Sequence, residues 1–260
     1  MTMSRRVKSH LLVRWLAALF LSGTLLMSGT LALAAAPGVS AVTGATFAPI
    51  VPLPSPSVAT TGGQTQIVVS ANWSGYSVDS WRTGKQYISA SGEWTVPAVT
   101  LGDSTKPKYS GTWIGIGGDC ANSQCTKVYS DLIQVGTEED VTTAGATYNA
   151  WYEMLPQAET PINSLVIHPG DVITAFIQGV PLPGTVRNKK LQPVEWFLSL
   201  TDLSTLQSWS KVVSYNSSLS SAEWIEEAPT VGKNIARLAD FGLLTFDPVS
   251  ANGANPYLMP

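Results

Sequence analysis

An all-β fold, an antiparallel sandwich, is what this sequence predicts, and three observations carry it. From Thr65 onward the chain is a succession of short runs rich in Val, Ile, Trp, Tyr and Thr, interrupted by Gly, Pro, Asn and Asp every 8 to 15 residues or so. That spacing suits antiparallel strands better than βαβ units. The composition agrees: 22 Gly, 17 Pro and 9 Trp with only 13% charged residues favour strands and turns over long helices. The length of 260 residues fits a single sandwich domain.

The segment that precedes the strands has its own organisation. MTMSRRVKSHLLVR is basic, WLAALFLSGTLLMSGTLALAAA is apolar, and small residues stand at Ala32, Ala34 and Ala36. This is the pattern of a secretory signal peptide, taken as residues 1–34, with cleavage after Ala34 or Ala36. The alternative is an uncleaved membrane anchor, because the apolar stretch is long for a signal. Residues 35–66 are rich in Pro, Ser, Thr and Gly and carry no charge, as expected of a linker or short propeptide without a core of its own. The sandwich is expected over 67–260.

Within it the runs come in order as TQIVVSANWSGYSV, YISASGEWTVPAV, SGTWIGIG, DLIQVG, TYNAWYEMLP, SLVIHPGDVITAFIQG, EWFLSLTDL, SWSKVVSY, AEWIEEAP and FGLLTF. LSLTDLSTLQSWSKVV predicts a hairpin around Asp202–Ser204. GVPLPGTVRNKKLQP predicts a long exposed loop with Arg187, Lys189 and Lys190 at a solvated tip.

Charge and special residues narrow the function. Four of the 15 Lys and Arg lie in the first 36 residues, which leaves 11 against 18 acidic residues and a net charge near −7 beyond them. An acidic body argues against nucleic acid as a partner. With so few basic groups, protonating the carboxylates leaves little positive self-repulsion, which permits work in acid. His168, in VIHPGD, is the one histidine beyond the basic segment, so a three-His zinc site is excluded. It reads as a surface turn residue, since no GxSxG nucleophile elbow accompanies it. Cys120 and Cys125, the only cysteines, predict a disulfide closing a small loop. Asn72-Trp73-Ser74 and Asn216-Ser217-Ser218 match the N-glycosylation acceptor pattern.

Two strands carry the chemistry. In DLIQVGTEED, alternation puts Leu132, Gln134, Gly136 and Glu138 on one face, with Ile133 and Val135 on the other. In SAEWIEEAP, Glu223, Ile225 and Glu227 share a face opposite Trp224 and Glu226. Three glutamates in five residues of strand are unusual, since Glu is depleted from strands. They suit either an edge strand protected by charge or a catalytic site. For glycoside hydrolysis, Glu223 and Glu227 stand too far apart, about 13 Å between Cα atoms at roughly 3.3 Å per residue. Retaining enzymes need roughly 5–5.5 Å between carboxyl groups and inverting ones roughly 6.5–9.5 Å. A glycosidase would have to combine one of them with Glu138 or Glu153.

NWSGY (72–76), GTWIGIGG (111–118), LIQVG (132–136), YNAWYEMLP (148–156), IHPGDVI (167–173) and AEWIEE (222–227) occur in this order. Together they resemble the glutamic peptidases, or eqolisins, over about Asn72 to Phe246. The resemblance implies a concanavalin A-like, jelly-roll sandwich with its active site on the concave sheet face. It also implies acid endopeptidase activity from a Gln/Glu dyad without metal or cofactor. The family glutamine falls on Gln134, its glutamate on Glu227, and its substrate-contacting tryptophan on Trp113. Glu138 stands where the family has an aspartate, and Glu153, Tyr148 and Trp73 join as substrate-binding candidates. The chain departs from the family at Gly117, where an acidic residue is common, and at Ala228-Pro229 after the glutamate. Family members also continue with one or two strands beyond FGLLTFDPVSANG, so an exposed edge or a different closure is expected.

These residue types suit peptide hydrolysis. A carboxylate such as Glu227 can take a proton from the attacking water and return it to the leaving amine. Gln134 can donate its amide N–H to the oxyanion and orient the water with its carbonyl. The expectation is a secreted, extracellular monomer acting on polypeptides, with no nucleic-acid partner and no membrane association after signal cleavage. The alternative is a carbohydrate-binding module or glycosidase with Trp73, Trp113 and Trp151 stacking on sugars.

Overall fold

The computed structural model describes residues 45–54, 67–180 and 195–258. The expected signal peptide, much of the linker and the loop bearing Arg187, Lys189 and Lys190 lie outside them. The described residues form β1 (Ala45–Thr46), β2 (Trp73–Asp79), α1 (Ser80–Thr83), β3 (Ser89–Thr95), β4 (Gly111–Gly117), β5 (Leu132–Thr142), β6 (Gly145–Met154) and β7 (Thr160–Pro161). Then follow β8 (Val172–Val180), β9 (Glu195–Asp202), β10 (Gln207–Ser214), β11 (Ser221–Glu227), β12 (Thr230–Val231), β13 (Asn234–Ile235) and β14 (Val249–Ala251). The single helical turn ends at Gly84, whose left-handed φ of 68° lets its N–H close back on the Ser80 carbonyl.

Two sheets carry the fold, one ordered β2-β11-β4-β5-β6-β7 and the other β10-β9-β8-β3-β14, with β1-β12-β13 as a small third sheet. Every strand pair in them is antiparallel. Between the two large sheets lies an apolar core whose largest members include Trp94, Trp196, Trp224, Ile114, Ile133, Ile173 and Ile177. Alternation decides who joins it: Ile114 and Ile116 of β4, Ile133 and Val135 of β5, and Ala222 and Trp224 of β11 point inward. Their neighbours Trp113, Leu132 and Ile225 point outward into a second cluster with Trp73, Trp151 and Phe47.

The predicted hairpin is formed by β9 and β10. Its turn sits slightly later than expected, at 203–206, because Asp202 Oδ1 accepts the N–H groups of Ser204 and Thr205. The C-terminal closure is β14, which pairs along the side of β3 not occupied by β8. Cys120 and Cys125 are disulfide-bonded, as the sequence predicts.

One placement differs in kind from expectation. Ala45–Leu53, read from sequence as part of a linker or propeptide, lies against the six-stranded sheet. Ala45 and Thr46 pair with β12, Ile50 N–H donates to the Gly118 carbonyl, and Leu53 N–H donates to the Val69 carbonyl. Phe47 is fully buried.

Candidate active site

The outer face of the six-stranded sheet is built from rows of side chains in register across its strands. Glu223, Gly115, Gln134 and Glu153 make one row. Ile225, Trp113, Gly136 and Trp151 make the next, and Trp73, Glu227, Gly111 and Glu138 a third. Gln134 and Glu227 therefore share a face, two strands and two rows apart, with Trp113 between them. Residues 45–53 run over this face.

Gln134 is buried, and its Nε2 donates two hydrogen bonds, to the Phe47 carbonyl at 2.7 Å and to Glu153 Oε2 at 2.8 Å. Two acceptors on one atom settle which end of the amide is nitrogen. Glu153 Oε2 also accepts the Phe47 N–H at 3.0 Å. Gln134 Oε1 is buried with no hydrogen-bond partner among the described residues.

Glu227 collects four N–H donors. Oε1 accepts Ala48 N–H at 2.9 Å and Asn72 Nδ2 at 3.0 Å, and Oε2 accepts Trp73 Nε1 at 3.1 Å and Trp113 Nε1 at 3.2 Å. Its surroundings pull in two directions. Burial drives the carboxyl well above the usual range and dominates, aided by the neighbouring Glu153 charge, while the Ala48, Asn72 and Trp113 donors favour the ionised form. Burial likewise pushes Glu153 up to about 9, against the Phe47 N–H and Gln134 donors.

The tryptophans form the walls. Trp73 and Trp113 meet edge to face at 5.2 Å between centroids, and Trp151 stacks on Phe47 at 4.0 Å with 6° between planes. Gly111 makes room for that phenyl ring, since a Cβ there would run into it. Beyond Ile50 and Trp73 the face opens into a cavity of about 1040 Å³, also lined by Tyr76, Asp79, Arg82 and Asn122.

The sequence-derived candidates divide accordingly. Gln134, Glu227, Trp113, Trp73 and Glu153 converge on the segment around Phe47. Glu138 lies on the same face, but burial, aided by the neighbouring Asp140 and Glu159 charges, pushes it up to about 10. Tyr148 is a correction. It packs with the inner core and its hydroxyl accepts the Val99 N–H at 3.3 Å, so it does not reach the groove. The cause is parity: Trp151 and Glu153 point outward, and Tyr148, three residues before Trp151, points inward. His168 is an exposed turn residue beside Asp171, as expected.

Three contributors escape the sequence-based selection. Asn72 matches the N-glycosylation acceptor pattern, yet it is buried, and its Nδ2 donates to the Pro49 carbonyl at 3.1 Å as well as to Glu227. Its Oδ1 accepts the Val51 N–H at 2.8 Å. Trp151 stands out in the sequence only as a sugar-stacking candidate, and Gly111 has no side chain to mark it. Asn72 and Gly111 sit inside NWSGY and GTWIGIGG, so their position in those blocks was the available signal.

Residues 71–257 match the model of the peptidase A4 family. Aspergillopepsin-2 of Aspergillus niger is 25% identical over 229 residues, covering 82% of this chain and 75% of that protein. Among solved structures, scytalido-glutamic peptidase with a transition state analog inhibitor is similar over 69% of this chain and 79% of its own, at 22% identity and a TM-score of 0.52. A second structure of that enzyme, with a peptide based transition state analog, matches at 23% identity and a TM-score of 0.50 over the same shares. With a family match across most of its length and the family's sandwich beneath its candidate site, this chain belongs to the peptidase A4 family and is a glutamic-type endopeptidase.

Proposed function

We propose that this chain is a secreted endopeptidase that works in acid, with Glu227 as general base and acid and Gln134 as the oxyanion donor. One observation carries the assignment of roles. The Phe47–Ala48 peptide bond lies with its carbonyl oxygen on Gln134 Nε2 and its N–H on Glu227 Oε1. A peptide substrate needs a donor at the first atom, where negative charge develops, and a proton source at the second, which departs as amine.

Burial beneath residues 45–53 raises Glu227 in the covered groove, and entry of solvent returns it toward its ordinary range. In the cycle that follows from this geometry, Glu227 in its ionised form takes a proton from water as the water oxygen adds to the carbonyl carbon. Gln134 Nε2–H stabilises the resulting oxyanion, and Gln134 Oε1, which has no donor among the described residues, is the acceptor available to orient the water. The C–N bond then breaks as Glu227 returns the proton to nitrogen. Glu153 fixes the Gln134 amide and takes the N–H of the residue before the cleaved bond. Asn72 and Trp73 grip the backbone after it, and the adjoining cavity has room for the residues that follow.

The sugar-binding alternative loses its footing at the tryptophans. The indole N–H groups of Trp73 and Trp113 serve Glu227, a use that sugar stacking would not require. Secretion is supported by the basic and apolar N-terminal stretch and by the Cys120–Cys125 disulfide.

The test is hydrolysis of denatured casein and haemoglobin from acid to neutral pH. Gln134→Ala and Glu227→Gln variants, a chelator and an aspartic-protease inhibitor run in parallel. Gln134→Ala is expected to cost on the order of 10²–10³ in kcat, and Glu227→Gln to remove activity. Unchanged proteolysis in either variant would sink the dyad.

A further inference from the structure

The grip on backbone does not end beside the dyad. We infer that the fourth to sixth residues after the cleaved bond of a substrate add as a strand to Val69–Ala71, so that this chain favours polypeptides with a long, extended leaving side. The inference rests on the dyad reading above and carries it beyond the residues next to the cleaved bond.

Residues 48–53 draw the path that such a substrate would take. The Ala48 carbonyl accepts Trp73 Nε1–H at 3.0 Å, the Pro49 carbonyl accepts Asn72 Nδ2–H at 3.1 Å, and Ile50 N–H donates to the Gly118 carbonyl at 3.0 Å. Beyond them the backbone pairs antiparallel with the stretch that leads into β2. Val51 N–H donates to Asn72 Oδ1 at 2.8 Å, the Val51 carbonyl accepts Ala71 N–H at 2.8 Å, and Leu53 N–H donates to the Val69 carbonyl at 2.8 Å. Pro52 stands opposite Ser70 at the position of this ladder that exchanges no hydrogen bond, so its missing N–H costs nothing there. Asn72 spans the junction, with one end of its amide on the carbonyl of the second residue and the other on the N–H of the fourth. Ser70 Oγ donates to Asn72 Oδ1 at 2.9 Å and fixes the amide in that setting.

Two features mark a ligand's path rather than a packed strand. Val51 and Leu53 are 39% and 45% exposed, so the stretch is held by its main chain and not by buried apolar surface. Strand addition of this kind takes affinity from backbone hydrogen bonds and accepts most side chains that point to solvent. Ile50 is the exception, since its buried side chain lines the cavity beside Trp73 and gives the third residue an apolar site. Secondly, Val69 and Ser70 precede the residues 71–257 that match the family model. This part of the grip therefore belongs to the chain's own sequence and not to the matched region.

The experiment uses the full chain in acid and quenched fluorogenic peptides that share one sequence through a cleaved Phe-Ala bond and end three or six residues after it. The longer peptide gains three backbone hydrogen bonds and should show a kcat/KM on the order of 100-fold higher. It is then N-methylated at one residue at a time. A methyl on the fourth or the sixth nitrogen should lower kcat/KM on the order of 10-fold. A methyl on the fifth should leave it unchanged, the period of two that a paired strand imposes. Every change sits in the peptide, so the enzyme's fold is the same in each measurement. Equal kcat/KM for the two lengths would overturn the inference and leave the dyad standing, as would a loss on methylation that ignores the alternation. Glu227→Gln should cut neither peptide. A folded wild-type chain that cuts neither length would overturn the dyad and this inference with it.

Discussion

Gln134 Nε2 and Glu153 Oε2 are 2.8 Å apart, in register across β5 and β6, and the same Glu153 oxygen takes the Phe47 N–H. Glu153 thus ties the orientation of the amide to the position of the backbone in front of it. As a positioning residue it should act on turnover more than on binding. Glu153→Ala is expected to lower kcat on the order of 10²-fold, with a smaller change in KM. An increase in KM alone, measured on a fluorogenic peptide, would reduce Glu153 to a docking contact.

Gly111 marks the floor of the pocket that holds the Phe47 ring. Gly111→Ala places a methyl where the ring sits, so cleavage after Phe should fall relative to cleavage after Ala. The ratio of kcat/KM for two peptides differing only at that residue measures it. An unchanged ratio would mean that the ring lies elsewhere in productive complexes.

Glu227 must be ionised to accept the proton from water, so activity falls as pH drops through its pKa. The Trp113 Nε1–H favours the ionised form. Trp113→Phe keeps an aromatic ring and deletes the donor, so it should raise that pKa and move the acid limb of kcat/KM to higher pH. A limb that moves the other way would mean that a different carboxyl sets it.

Several buried carboxyls outside the dyad share one sign. Burial raises Asp140 and Glu226 to about 7, and Asp79 and Glu159 to about 8. Their ordinary values are 3.8 for Asp and 4.5 for Glu. The folded chain therefore binds these protons more tightly than the unfolded chain. The stability they contribute is complete below the ordinary values and is lost as pH rises through the raised ones. Melting temperature should be highest in acid and decline between pH 4.5 and about 8. Glu226→Gln, whose amide oxygen can still accept the Thr112 hydroxyl bonded at 2.6 Å, should flatten the decline. Calorimetry showing a melting temperature that rises across this window would refute the argument.

Much of this was legible in strand parity. Alternation alone put Gln134 with Glu138, and Glu223 with Glu227, on single faces, with Ile133, Val135 and Trp224 on the opposite ones; the structure shows that those three point inward. The same rule, applied to YNAWYEMLP, would have removed Tyr148. What the sequence concealed is contact made by backbone. Phe47 lies in an uncharged stretch without periodicity, and its N–H and carbonyl make the decisive hydrogen bonds, which no side-chain pattern encodes. Its being the only aromatic residue between Pro37 and Gly63 was the one trace. Asn72 is no more legible, because an amide that grips backbone and an amide that awaits a glycan look alike in sequence.

A groove floored by pleated strands divides its own sequence into two alphabets. Along β4, positions 111, 113 and 115 look into the groove, while 112, 114 and 116 look toward the other sheet. Changes in the odd set can alter what is cut while sparing the packing beneath, and changes in the even set can do the reverse. Diversification of preference in this scaffold should therefore proceed by twos along each strand, a rhythm that a loop-built site would not impose.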